Sequence, residues 1–195
     1  MDIVIIDYGA GNIQSVRFAF QRLGYDPELT SDVERILSAD RVIFPGVGEA
    51  GSAMAKLRES GLDRVIPTLT QPVLGICLGM QLMCTRSEEG DTTGLDIFPT
   101  EVRRFPTGLK VPQIGWNRIT DLKGPIFNDI EEGEYIYLVH SFYAPLTEYT
   151  SAVSTYGMAY STALQRGNFY GVQFHPEKSS KAGARMLHNF IELTL

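Results

Sequence analysis

A chain of 195 residues, 44% hydrophobic and 21% charged, is long enough to bury a core without staples and is expected to form one domain over 1–195. The 23 acidic against 17 basic residues leave a net charge of −6, which argues against a nucleic-acid partner. No stretch comes near the roughly 20 consecutive apolar residues of a membrane span, so no membrane partner is expected either.

Two cysteines, Cys77 and Cys84, are too few for a disulfide framework, and Met1–Ile6 does not resemble a cleavable signal. The expectation is a soluble, cytoplasmic protein. Ile3-Val4-Ile5-Ile6 is a continuous β-branched run, the pattern of a strand covered on both faces. After Gly9-Ala10-Gly11-Asn12, residues Ile13, Val16, Phe20 and Leu23 fall on one helical face, with Gly24 as a stop. Arg41–Phe44 reads as another buried strand, closed by Pro45-Gly46-Val47-Gly48. A helix of about two turns around Ala53–Leu57 follows, then a strand over Pro72–Ile76. This rhythm predicts an open parallel sheet with right-handed crossovers. Further on, Tyr135–Val139, Ala152–Thr155, Thr162–Arg166 and Tyr170–Phe174 have strand signals. A last helix from about Ser180 to Leu193 turns Met186, Leu187, Phe190 and Ile191 inward. The sum is an α/β fold with a central mixed, mainly parallel sheet.

Two nucleotide signatures fail. Gly9-Ala10-Gly11 begins like a dinucleotide fingerprint, but position 14 is Gln, and no Walker-type Gly-Lys-Ser/Thr occurs. Gly75-Ile76-Cys77-Leu78-Gly79 is more informative. Small residues two before and two after a nucleophile permit a strained strand-to-helix turn, which exposes the thiol and aims a helix amino end at it. On spacing alone, Cys77 reads equally well as a small buried hydrophobe. Cys84, close to two helical turns further along a helix begun by Met80–Cys84, lacks flanking glycines and reads as core. Gln173-Phe174-His175-Pro176-Glu177 offers a base: residues two apart at a strand end point the same way, so Glu177 can orient the His175 imidazole for a thiol. His140 could line the site but has no acid beside it, and His188 falls on the outside of the last helix. No Cys/His cluster has metal-ligand spacing, so no metal is expected. The backbone N–H of Leu78 would serve a developing oxyanion, and the Pro45–Gly48 turn either supplies a second donor or is an ordinary turn.

Together these segments resemble the class I, triad-type glutamine amidotransferases, and within them the glutaminase subunits of imidazole glycerol phosphate synthase. The resemblance spans nearly the whole chain. It rests on Asp7–Asn12, Gly75–Gln81, Ser87–Gly90, Val111–Asn117, Val139–Phe142 and His175–Ser180. One departure is Gln113, where the family often has His. The resemblance implies a flavodoxin-like three-layer fold with Cys77 as nucleophile, His175 as base and acid, and Glu177 as its orienter. It implies oxyanion donors at the backbone of Leu78 and, after a peptide flip, Val47. Gly48, Gln81, Glu89, Ser141 and Phe142 would hold glutamine. The implied partner is the (β/α)₈ cyclase subunit of a heterodimer, met through Asn12 and Trp116. No cofactor is implied. Ammonia would pass through a sealed passage to the cyclase, which makes imidazole glycerol phosphate and AICAR.

Two other readings compete. The glutaminase subunit of pyridoxal phosphate synthase has similar length and triad but is expected to differ at Pro45–Gly48. A non-catalytic relative of the flavodoxin-like Cys-elbow proteins would typically lack the His-x-Glu of His175 and Glu177.

Overall fold

A computed structural model of the chain describes residues 1–9 and 13–194. The first half runs β1 (Ile3–Ile6), α1 (Ile13–Arg22), β2 (Glu28–Thr30), α2 (Val33–Ser38), β3 (Arg41–Gly46), α3 (Ala50–Ser60), α4 (Leu62–Val65), β4 (Val73–Cys77) and α5 (Leu78–Leu82). The second half runs β5 (Cys84–Ser87), β6 (Thr92–Thr93), β7 (Phe98–Arg104), β8 (Gln113–Arg118), β9 (Tyr135–His140), β10 (Phe142–Tyr143), β11 (Thr150–Thr155), β12 (Ala159–Arg166), β13 (Phe169–Val172) and α6 (Ser180–Ile191). Seven strands form the central sheet in the order β11-β12-β13-β4-β3-β1-β2. The pairs from β13 to β2 are parallel, and β12 and β11 add an antiparallel edge. The expected mixed, mainly parallel sheet is present.

The continuous apolar strands follow from burial on both faces. In β1, Ile3 and Ile5 face a core shared with Val16, Ala19 and Phe20 of α1 and with Met186, Leu187, Phe190 and Ile191 of α6. Val4 and Ile6 face the opposite core, with Ile36, Met54, Leu57, Leu62 and Met80 of the other helices. A four-stranded sheet, β10-β7-β5-β6, flanks that second core through Cys84, Phe98 and Val102. Strands β8 and β9 pair by themselves as an antiparallel ribbon. No helix among the described residues is long and apolar enough to cross a membrane.

Two local expectations need correction. The helix around Ala53–Leu57 is longer, Ala50–Ser60, because Glu49 caps its start by accepting from Gly51 and Ser52 N–H groups at 2.8 Å each, and Gly61, at φ 73°, closes its end. Cys84 is not on a helix. Helix α5 stops at Leu82, and Cys84 opens β5, whose pairing with β6 and β7 captures the chain. Its side chain is fully buried, as core filler should be, and burial pushes its thiol pKa up.

What positions the site is the crossing of α5 over β3 and β4. A Cβ on Gly79 would collide with the Phe44 carbonyl of β3, and one on Gly75 would come within 2.7 Å of Met83 Sδ and 2.9 Å of Met80 N. Both glycines are therefore required by close approach. The backbone clash at Gly79 has no flexible side chain to absorb it, so Gly79→Ala should cost roughly 3 kcal/mol. Urea unfolding of this variant should show a clearly lower midpoint with an unchanged slope; a wild-type midpoint would mean the crossing can widen freely.

Candidate active site

Strands β3, β4 and β13 are neighbours and parallel, so their carboxyl ends come together at one edge. Register places Gly46 opposite Cys77, and Val172 opposite Ile76, so Gln173 begins the turn beside Cys77. This is the edge where open α/β sheets hold ligands. Cys77 is itself the turn residue, with φ 54° and ψ −111°, a conformation that costs a non-glycine residue energy and is sustained only by the packing around it.

His175 follows two residues after Gln173. Its backbone N–H donates to Tyr137 O of β9 at 3.0 Å, and its carbonyl accepts from Ser179 Oγ at 2.6 Å. Ser179 Oγ in turn accepts from Tyr137 N–H at 3.0 Å, so one buried hydroxyl locks the His175 turn onto β9. The ring Nδ1 is 2.8 Å from Glu177 Oε1, with both side chains almost fully buried. That leaves Nε2 for Cys77, to which the ring couples electrostatically. Burial alone would push the imidazole pKa down. Hydrogen bonding and charge at Cys77 and Glu177 outweigh it and carry the pKa up to about 10.

These residues sit over a pocket of about 350 Å³. Val47, Gly48, Cys77, Leu78, Gln81 and Glu89 line one part of it, and Ser141, Phe142, His140 and His175 another. Glu89 Oε2 accepts from Ala50 N–H at 2.9 Å, and burial raises its pKa. Gln81 Nε2 donates to Phe142 O at 3.1 Å and to Gln173 Oε1 at 2.8 Å, leaving its own carbonyl oxygen as the group still able to accept. His140 Nδ1 is 2.8 Å from the same Phe142 carbonyl, and its Nε2 lies 3.0 Å from the Gln113 carboxamide. Both partners are accept-only oxygens, Phe142 O and Gln113 Oε1, so the neutral His140 ring donates to one of the two. The unusual Gln113 also takes a hydrogen bond from Tyr160 Oη at 3.0 Å and ties a small aromatic core of Phe105, Tyr143 and Tyr160 to the pocket wall.

Residues 4–193 match the family model described as glutamine amidotransferase class-I. The chain belongs to that family. Imidazole glycerol phosphate synthase subunit HisH of Bacteroides fragilis (strain YCH46) is 53% identical over 196 residues, covering 99% of this chain and 100% of the relative. The HisH subunit of Haemophilus influenzae is 50% identical over 194 residues, covering 98% of each. Among solved structures, a glutamine amidotransferase superposes with a TM-score of 0.77 at 17% identity, covering 98% of both chains. PurLQS from Thermotoga maritima superposes with a TM-score of 0.72 at 16% identity, covering 97% of both. At such identities these two speak for the amidotransferase fold alone.

Within this family fold, the residues singled out in the sequence converge. Cys77, His175, Val47, Gly48, Leu78, Gln81, Glu89, Ser141 and Phe142 all line the one pocket, and Glu177 stands behind His175. Trp116 lies apart, half-exposed on β8 against Tyr137, with ring centroids 5.8 Å apart. Asn12 lies outside the described residues. His188 is exposed on α6 and is not part of this pocket. Sequence reasoning passed over Gln173 and Lys178, although Gln173, His175 and Glu177 share the alternation that pointed to the histidine.

Burial pushes the His140 pKa down to about 4, with the Phe142 carbonyl opposing this and the nearby His175 adding to it. The folded pKa lies below the ordinary histidine value, so the unfolded chain binds more protons as pH falls from about 6.5 toward 4, and stability is lost over that window. Removing the imidazole removes this loss: relative to its own stability at pH 7.5, His140→Gln should retain up to about 3 kcal/mol more than wild type at pH 4. Parallel denaturation curves for the two proteins across this range would refute the assignment of a buried neutral ring.

Proposed function

We propose that this chain is the glutaminase subunit of imidazole glycerol phosphate synthase, a single amidotransferase domain over 1–195 working in the cytoplasm as a heterodimer with a (β/α)₈ cyclase subunit. The observation that carries the chemistry is the joint presence of Cys77 and the His175–Glu177 pair over one pocket with Gln81, Glu89, Ser141 and Phe142. The full-length HisH relatives at about half identity support the synthase assignment.

In this reading the Cys77 thiolate attacks the carboxamide carbon of glutamine. Charge collects on the carbonyl oxygen and is met by the N–H of Leu78, the first residue of α5, whose donor has no partner within its helix. His175, held protonated at rest by its two acidic neighbours, gives its proton to the departing nitrogen, and ammonia leaves as the γ-glutamyl thioester forms. Water then attacks the thioester carbon while His175 takes a proton from it. The C–S bond breaks, glutamate leaves and the thiolate–imidazolium pair returns. Glu177 holds the tautomer and supports the charge. Gln81 and Glu89 accept from the substrate ammonium, and the Ser141–Phe142 backbone meets the amino-acid end.

The second oxyanion donor is the Val47 N–H. Its peptide begins at Gly46, which has no side chain to oppose rotation, so this peptide can turn over with little resistance. A cyclase that meets Trp116 and, as the family resemblance implies, Asn12 selects the turned form. It also receives ammonia before water protonates it, and uses it to make imidazole glycerol phosphate and AICAR.

Two outcomes are expected. A diazo-ketone analogue of glutamine should label Cys77 and leave Cys84 free, and Cys77→Ala should fold but lose glutamine hydrolysis; label on Cys84 alone would remove Cys77 from the mechanism. Glutamine hydrolysis should be slow for the chain alone and rise about 10²–10³-fold in kcat, with a smaller change in KM, when the cyclase and an acceptor analogue are added. Equal kcat with and without them would mean the Val47 peptide is already set.

A further inference from the structure

The polar groups around the nucleophile form a directed chain whose polarity is fixed from one end. Phe142 O is a carbonyl and can only accept, so the atom of Gln81 that lies 3.1 Å from it must be the amide nitrogen. The same nitrogen lies 2.8 Å from the Gln173 side chain, which must therefore turn its oxygen toward Gln81. The Gln173 nitrogen is then the atom 3.8 Å from Cys77 Sγ. Gln173 is fully buried, and its backbone N–H is held by Thr162 O at 2.8 Å, so the carboxamide has no alternative position in water.

We propose that Gln173 is a further catalytic residue, whose carboxamide N–H donates to the Cys77 sulfur and stabilises the thiolate; the assignment rests on the glutaminase reading above. Unlike His175, this donor does not titrate and carries no proton to give away. It points a fixed positive dipole end at the sulfur before the thiolate forms, while it attacks, and when the thioester releases it. A hydrogen bond to an ion in a desolvated site is stronger than one between neutral groups. A division of labour follows. The imidazole moves protons and must change charge during turnover, whereas the amide holds the sulfur's electrostatic environment constant through that change. The Gln81 amide sets the orientation, so a residue assigned to the substrate also aims the donor on the nucleophile.

Tyr8, which couples electrostatically to Cys77, and His175 are the titratable neighbours of the sulfur. Glu177 acts on it through His175, while His140, Glu89 and Lys178 line the same pocket. These groups remain in place when only Gln173 is changed, so the ionisation of Cys77 isolates the effect. Iodoacetamide alkylation of the full chain would be followed against pH, with the Cys77 and buried Cys84 peptides resolved by mass spectrometry. Replacing the donor by an apolar side chain of similar length, Gln173→Met, should move the Cys77 alkylation midpoint up by roughly one to two pH units. Gln173→Glu should move it at least as far, because an acceptor replaces the donor. Midpoints at the wild-type value in both folded variants would overturn the proposal. A measurement on the unaltered protein guards against variants that fail to fold. In a ¹⁵N-labelled sample, the Gln173 side-chain NH₂ resonances should shift with the ionisation of Cys77 and stay still in Cys77→Ala. Resonances that ignore the thiol in wild type would equally overturn it. Neither readout needs glutamine turnover, so absence of glutaminase activity would refute the function proposed above while leaving the role of Gln173 separately testable.

Discussion

The close crossing of α5 over β3 is the constraint on which the site depends. With no side chain at Gly79, the first turn of α5 lies directly on the Phe44 carbonyl, and with none at Gly75 the same turn folds back over β4. The chain must reverse within one residue to reach that position, and the residue that does so is Cys77, at positive φ. Strain at Cys77 is thus the product of packing on either side of it. The opposed cores of the central sheet fix β3 and β4, and those strands fix where the thiol emerges.

Around that point the pocket wall is made of segments that hold each other by polar contacts. The Phe142 carbonyl accepts from Gln81 and lies 2.8 Å from His140 Nδ1, so one peptide joins α5, β9 and β10. On the other side, Ser179 Oγ bridges the His175 carbonyl and the Tyr137 N–H, binding the histidine turn to β9. The β8–β9 ribbon carries Trp116 on its exposed side and the backbone anchors of His175 within. A group seated against the ribbon would therefore bear on a strand that is hydrogen-bonded directly to the histidine turn.

How much of this could be read in advance varied with the kind of signal. The alternating buried strands and the Cys77 elbow were legible because a two-sided core and a tight turn each impose a local pattern, apolar runs in one case and paired glycines in the other. The His175–Glu177 contact was legible from spacing but for another reason than strand alternation: the strand ends at Val172, and a tight helical turn over Pro176–Lys178 brings Glu177 to the ring. The extra strands β5 to β8 were not. Their burial is broken or one-sided, as in β8 and β7, and their pairing is decided by partners far along the chain. The length of α3 turned on one charged cap, Glu49, and the identity of Gln173 as a neighbour of the sulfur depends on register between β13 and β4, which no single segment encodes.

The two thiols end up in different surroundings, and this bears on oxidation. Cys77 belongs to the core packed on α1 and α6, whereas Cys84 belongs to the core on the other face of the central sheet. Both are free, and the sequence contains no third cysteine. A sulfenic acid formed on Cys77 by peroxide therefore has no resolving thiol within the chain and cannot be parked as an internal disulfide. Its reversal depends on small thiols entering the pocket proposed for glutamine. Continued oxidant carries it to the sulfinic and sulfonic acids, which would end the proposed turnover permanently.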